Sequence, residues 1–231
     1  MADASQADAV DTKDTRLFGK PPFFVSVTGS KATGKSELTR FIIYTYARSF
    51  TEIVVISPTA LNQFYYGFLP AAHIHDTYSD DIVQGIVDKQ VARKKAGKNI
   101  HVLVVLDDIL ADPAIRFEKR AGSVLNKLFA ANRHYNISLL IVVHKVRGLP
   151  PLCRMNVDFA CFTRCMRSAW ADIYDEYCGN MDKKEFFQML ETSTENYKVL
   201  MYTAKVQRPS EHYSCFKIPE EFLTRRFKLL Y

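Results

Sequence analysis

Residues Gly29-Ser30-Lys31-Ala32-Thr33-Gly34-Lys35-Ser36 spell a complete GxxxxGKS phosphate loop. The apolar run Phe23-Phe24-Val25-Ser26-Val27 precedes it, and a helix-like stretch from Glu37 to Arg48 follows. Strand, glycine turn and helix in that order make a nucleoside triphosphate site. The glycines let successive backbone N–H groups turn inward around phosphate oxygens, and the helix N-terminus adds positive potential. Lys35 reaches the terminal phosphates and the Ser36 hydroxyl ligates magnesium, so ATP and Mg2+ are the expected ligands. All eight residues are candidates for holding ATP, although Lys31 and Thr33 stand at variable positions of the pattern. The blander reading, a glycine turn that happens to match, leaves the strand and helix flanks unexplained.

Outward from the loop, short β-branched and aromatic runs alternate with longer helical patterns. Strands are expected at Phe23 to Thr28, Glu52 to Ser57, Val102 to Leu106 and 137–143, with later ones at 157–163 and 197–204. Helices are expected at 35–49, 81–95 and about 114–131, and over most of 168–192 with a break at Gly179-Asn180. The tail from Pro219 to Tyr231 reads as a short basic helix. Such alternation predicts an α/β domain with a mostly parallel sheet and crossover helices. The run Ile137 to Val143 has six apolar residues in seven, the pattern of a strand buried on both faces. Residues 1–15 carry almost no large apolar side chains and are expected to form a flexible arm, leaving 16–231 as one domain.

The segment His101-Val102-Leu103-Val104-Val105-Leu106-Asp107-Asp108 is an apolar strand ending in two acids, as in a Walker B element. At the carboxyl end of a central strand, Asp107 is expected to hold the metal and Asp108 to polarise the attacking water. An Asp pair taken alone fits a helix cap or turn equally well; the phosphate loop upstream favours catalysis.

With 231 residues and 48% hydrophobic content, the chain suits one substantial core. Net charge is +6, which favours a polyanionic partner without requiring one. Five cysteines, Cys153, Cys161, Cys165, Cys178 and Cys215, form no CxxC pair and indicate neither a zinc site nor a disulfide framework. Apolar stretches are strand-length, so no transmembrane segment or secretory signal is expected. The densest basic run, Lys89 to Lys98, fits a solvated helix end before Gly97 at least as well as phosphate binding.

Four segments, Gly29 to Ser36, Leu103 to Asp108, Asn132-Arg133-His134-Tyr135-Asn136-Ile137-Ser138, and Pro150 through Arg154-Met155-Asn156, follow one another in an order that resembles poxvirus-type genome-packaging ATPases of the FtsK/HerA superfamily. The likeness spans about residues 20–165. It implies a RecA-like P-loop fold in which the 137–143 strand is inserted between the loop strand and the Walker B strand. That places His144 at the γ-phosphate sensor position, where the family commonly has an amide, and Asp108 where many relatives carry the longer Glu. It further implies a homo-oligomeric ring, pentamer or hexamer, that moves double-stranded DNA into a capsid at a vertex or portal component. The host cell cytoplasm and the virion would be its locations.

In such a ring a neighbouring subunit supplies an arginine to the γ-phosphate. Arg133 is the first candidate, with Arg154 second; capping a helix or pairing with an acid remains open for both. Lys145 and Arg147, on the loop after His144, are candidate DNA contacts. No helix-turn-helix or zinc finger is evident, which disfavours base reading. Rival readings are a cellular or plasmid translocase of the same superfamily, a nucleoside or nucleotide kinase, and a non-catalytic nucleotide-organised module.

Overall fold

The computed structural model describes residues 8–9, 17–59, 63–109 and 123–229. Nine strands form one sheet among these: β1 (Asp8–Ala9), β2 (Phe24–Thr28), β3 (Glu52–Ile56), β4 (Ile74–His75), β5 (Val102–Asp107), β6 (Ile137–Val143), β7 (Phe159–Phe162), β8 (Lys198–Thr203) and β9 (Tyr213–Lys217). Their order is β1-β9-β8-β7-β2-β6-β5-β3-β4. The sheet is parallel except where β8 pairs with β7 and with β9. The expected insertion of the 137–143 strand is present, with β6 between β2 and β5.

Strand alternation sends successive side chains to opposite faces, and both faces are covered. In β5, Val102, Val104 and Leu106 join one core and Leu103 and Val105 the other. Helix α1 (Lys35–Tyr46) supplies Leu38, Phe41, Ile42 and Ile43 to the second core. The first core takes Val83 and Val87 from α2 (Asp80–Lys95) and Leu125, Leu128 and Phe129 from α3 (Val124–Ala131). It also receives Cys153 from α4 (Pro151–Asn156), Ile173 from α5 (Trp170–Tyr177), and Phe186 and Met189 from α6 (Lys183–Thr192). Caps mark the helix starts: Ser79 accepts from Asp81 N–H, and Asp182 from Lys184 N–H. No described helix is long and apolar enough to cross a membrane.

Three expectations need correction or limits. The tail is not a basic helix, since α7 covers only Glu220–Leu223 and residues 224–229 run on without regular structure. Phe222 and Phe227, too far apart for one helical face, pack on Tyr44 of α1, while Leu229 N–H bonds to Phe68 O. Arg40 of α1 holds this strap by donating to the carbonyls of Phe222, Leu223 and Arg225. The expected helix at 114–131 is described only from Val124; its earlier part lies outside the described residues. So does the proposed flexible arm, apart from Asp8–Ala9, which pair with β9 at the sheet edge.

Candidate active site

Registered neighbours bring the loop and both acids together. Thr28 pairs with Val143, and Asp107 with Val142, so the carboxyl ends of β2, β6 and β5 lie side by side. There Lys31, Ala32, Lys35, Ser36, Asp107, Asp108 and His144 line one pocket of about 150 Å³, together with Thr59. The binding-crevice rule for parallel sheets predicts this end.

Two glycines shape the loop. Gly34 caps α1 with φ 93°, a conformation that an L side chain resists. A Cβ on Gly29 would stand 1.8 Å from Thr163 Oγ1, so only glycine lets the loop approach the end of β7 so closely. Thr33, variable in the motif, ties the loop together: its hydroxyl donates to Ser30 O at 2.8 Å and lies 2.7 Å from Thr163 Oγ1.

Lys35 Nζ donates to Ser30 O at 2.7 Å and sits 3.3 Å from His144 Nδ1. Burial holds its pKa below the ordinary ammonium value, while Asp107 and Asp108 pull it upward. Because an ammonium can only donate, the His144 contact requires a free lone pair on Nδ1, which puts the imidazole proton on Nε2. Nε2 faces Asp108 Oδ2 at 3.7 Å. His144 therefore bridges the loop lysine and the second acid.

The two acids differ in setting. Burial raises the Asp107 carboxyl above the usual range, opposed by a 2.7 Å hydrogen bond from Tyr65 Oη and by Lys35. Tyr65 is itself enclosed, and burial beside Asp107 keeps its hydroxyl protonated. Asp108 has φ 54°, with its N–H on Val142 O. This left-handed turn, tolerated by Asp, swings the shorter carboxylate out of the strand and toward the pocket. The donor set fits magnesium: one carboxylate and one hydroxyl, Asp107 and Ser36, with the remaining places for phosphate and water. Among the described residues no group of three or more His, Cys, Asp or Glu is arranged to hold a metal ion by itself.

The other sequence candidates lie elsewhere. Arg133, in the turn before β6, sits at the amino end of the sheet and forms an ion pair with Asp158, which also accepts Phe24 N–H. Arg154 is enclosed, 2.9 Å from Glu176 and bonded to Leu149 O. Arg147 pairs with Asp172 and Asp175 of α5, which raise its pKa, and Lys145 is exposed. In the basic run, Lys89 and Arg93 pair with Glu52, and Lys94 caps His134 O. Tyr65, Thr59 and Thr163 were not anticipated. Tyr65 opens a single 3-10 turn, Tyr65–Gly67, 42 residues before its partner, and nothing periodic marks it.

The family model for the poxvirus A32 protein matches residues 13–227. The chain belongs to the poxvirus A32 family. Among its relatives, the uncharacterized protein 075L of Invertebrate iridescent virus 6 is 28% identical over 203 residues, covering 85% of this chain and 77% of that protein. Protein 015R of Frog virus 3 is 28% identical over 194 residues, covering 82% of this chain and 59% of the relative. In fold, the chain is similar to the genome packaging NTPase B204 of Sulfolobus turreted icosahedral virus 2. The B204 complex with AMPPCP gives a TM-score of 0.65 at 17% identity, covering 87% of this chain and 100% of that one. The pCW3 conjugation coupling protein TcpA gives 0.60 at 16% identity, covering 88% and 64%. A shared P-loop NTPase architecture therefore extends over most of the A32-family chain.

Proposed function

We propose that this A32-family protein is a magnesium-dependent ATPase that, as a homo-oligomeric ring, drives double-stranded DNA into a viral capsid from the host cytoplasm. The convergence of Lys35, Ser36, Asp107, Asp108 and His144 on one pocket carries the ATPase reading. Lys35 and the loop N–H groups hold the phosphates, and Ser36 with Asp107 would hold magnesium, which neutralises charge on the terminal phosphates when bound. Asp108 accepts a proton from the attacking water, and His144, linked to both Lys35 and Asp108, responds to loss of the γ-phosphate. Family membership and the likeness to a genome packaging NTPase support DNA packaging as the work performed.

A head-to-tail ring sets one face of a subunit against a different face of the next. Arg133 is out of reach of its own pocket and half-exposed at the opposite end of the sheet, where such a contact can present it to a neighbour. Arg154, enclosed and paired, is the weaker donor. The test is phosphate release from MgATP with and without double-stranded DNA, in the wild type and in Asp108→Asn. DNA-stimulated release that disappears in the variant is the expected result. Phosphate transferred to a nucleoside, or release indifferent to DNA, overturns the packaging motor.

A further inference from the structure

The pocket beside the Walker acids, about 150 Å³ and mostly polar, takes phosphates and an ion but not a nucleoside. A second cavity, about 500 Å³ and mainly apolar, opens on the other side of the loop. One wall is Thr33, Gly34 and Glu37; the facing wall is Tyr197, Ile218 and Leu223. Sheet order explains the division. β5 and β6 flank β2 on the acid side, whereas β7, β8 and β9 continue from it on the other, and the antiparallel β8 begins at this same end.

Resting on the nucleotide reading above, we propose that this cavity receives the base of the nucleotide whose phosphates occupy the loop, with the ring of Tyr197 as its stacking platform. A phosphate chain whose terminal group lay by Lys35, Asp107 and Asp108 would carry its inner end out across the first turn of α1. The cavity opens at that exit, at Gly34 and Glu37. Tyr197 lies right over it, with Cδ1 3.6 Å from where a Cβ on Gly34 would stand. Tyr197 is 68% exposed, unusual for so large an apolar residue, and Leu223 nearby is 48% exposed.

Backbone geometry holds the ring there. Asn196 and Tyr197 have φ of 52° and 61°, two successive left-handed residues of a kind that persists where surrounding structure enforces it. Val199 and Ile218, both buried, give the cavity an apolar floor. An aromatic face above an apolar floor suits a flat heterocycle, and contiguity with the phosphate loop selects a nucleotide's base over a free apolar ligand. A third cavity, near Met166 and Trp170, touches the loop at Ser30 and Thr33 but not at Glu37, and so misses the exit. The assignment gives the C-terminal third of the chain a share in the active site: Tyr197 and Leu223 both come from it.

The test is calorimetric titration of the full-length protein with ADP and, separately, with inorganic tripolyphosphate, which has no base, both in magnesium. Tyr197→Ala and Leu223→Asp, at exposed positions that do not support the core, are expected to weaken ADP about tenfold and leave tripolyphosphate within twofold. Tyr197→Trp should keep ADP affinity, and Lys35→Ala should weaken both ligands. Equal losses for both ligands in Tyr197→Ala, no loss for either, or an ADP-specific loss in Met166→Ala instead, overturns the base pocket while leaving the phosphate site standing. Binding of neither ligand by the wild type removes the nucleotide reading and the base pocket with it.

Discussion

The two ends of the same central strands do different work. At their carboxyl ends, Lys35 is held below its ordinary pKa, Asp107 above its own, and Asp108 sits in a left-handed turn. At their amino ends, several polar groups are matched, although His101 Nδ1 is buried without a partner. Gln90 Nε2 donates to the carbonyls of Ile100, Tyr135 and Asn136; Ser138 Oγ accepts Phe23 N–H; Asp158 takes both Arg133 and Phe24 N–H. One end stores unfavourable electrostatics that a charged ligand relieves, and the other closes the fold. Substitutions should therefore separate, with carboxyl-end changes costing activity and amino-end changes costing stability.

The largest effect is expected from Asp108→Asn. If Asp108 accepts the proton of the attacking water as proposed, its loss should slow phosphate release by about 10²–10⁴-fold. Asn tolerates the same left-handed backbone, so Tm should hold, and a large drop in Tm would break the contrast.

At the other end, Asp158→Ala leaves Arg133 and the buried Phe24 N–H without their acceptor, a loss of about 1–3 kcal/mol. That should appear as a Tm roughly 3–10 °C lower, with hydrolysis per folded molecule retained. Arg133→Ala should lower Tm by less, because the guanidinium is half-exposed. It should also lose hydrolysis if Arg133 serves the neighbouring subunit, and mixing with Asp108→Asn subunits should then restore part of it. Unchanged hydrolysis in Arg133→Ala would return that residue entirely to the structural end.

A smaller, pH-dependent effect separates the ends further. The folded pKa of Asp107 lies above its unfolded value, so folding favours the protonated form. Its contribution is most favourable below the unfolded value and is lost as pH rises through the folded one. Asp107→Asn should therefore gain thermal stability relative to the metal-free wild type across that window, then hold a constant margin, while losing hydrolysis. Tyr65→Phe removes a hydrogen bond that lowers the Asp107 pKa, so the acidic limb of the hydrolysis profile should move to higher pH. No movement would mean that Tyr65 only fills space.

The smallest effect is expected at the exposed Arg147 pairs, where solvent and salt screen both contacts. Arg147→Ala should leave Tm within error. Lys145→Ala, in contrast, should reduce DNA stimulation at low salt if that loop meets the phosphate backbone.

Much of this was readable in advance. The phosphate loop and the acid-ended strand β5 are local patterns that the structure brings to one pocket, and the apolar runs of β2, β5 and β6 bury both faces as such runs must. Strand β4 at one edge and β9, second from the other, were harder, being short or only half-buried, with no clean period. The tail misled because its basic residues suggested a helix end, whereas Phe222, Phe227 and Leu229 pack on the core beside α1 and Leu229 N–H bonds to Phe68 O.

By itself the sequence determined the loop, the two acids and the buried strands, because each depends on residues close along the chain; the position of β6 followed only from the resemblance. Only the tertiary structure decided which partners meet across long separations. It set Tyr65 on Asp107, Thr163 against Gly29, Arg133 at the end remote from its own pocket, and Tyr197 over the loop. Those contacts depend on strand order and register, which bring together groups that no local periodicity connects.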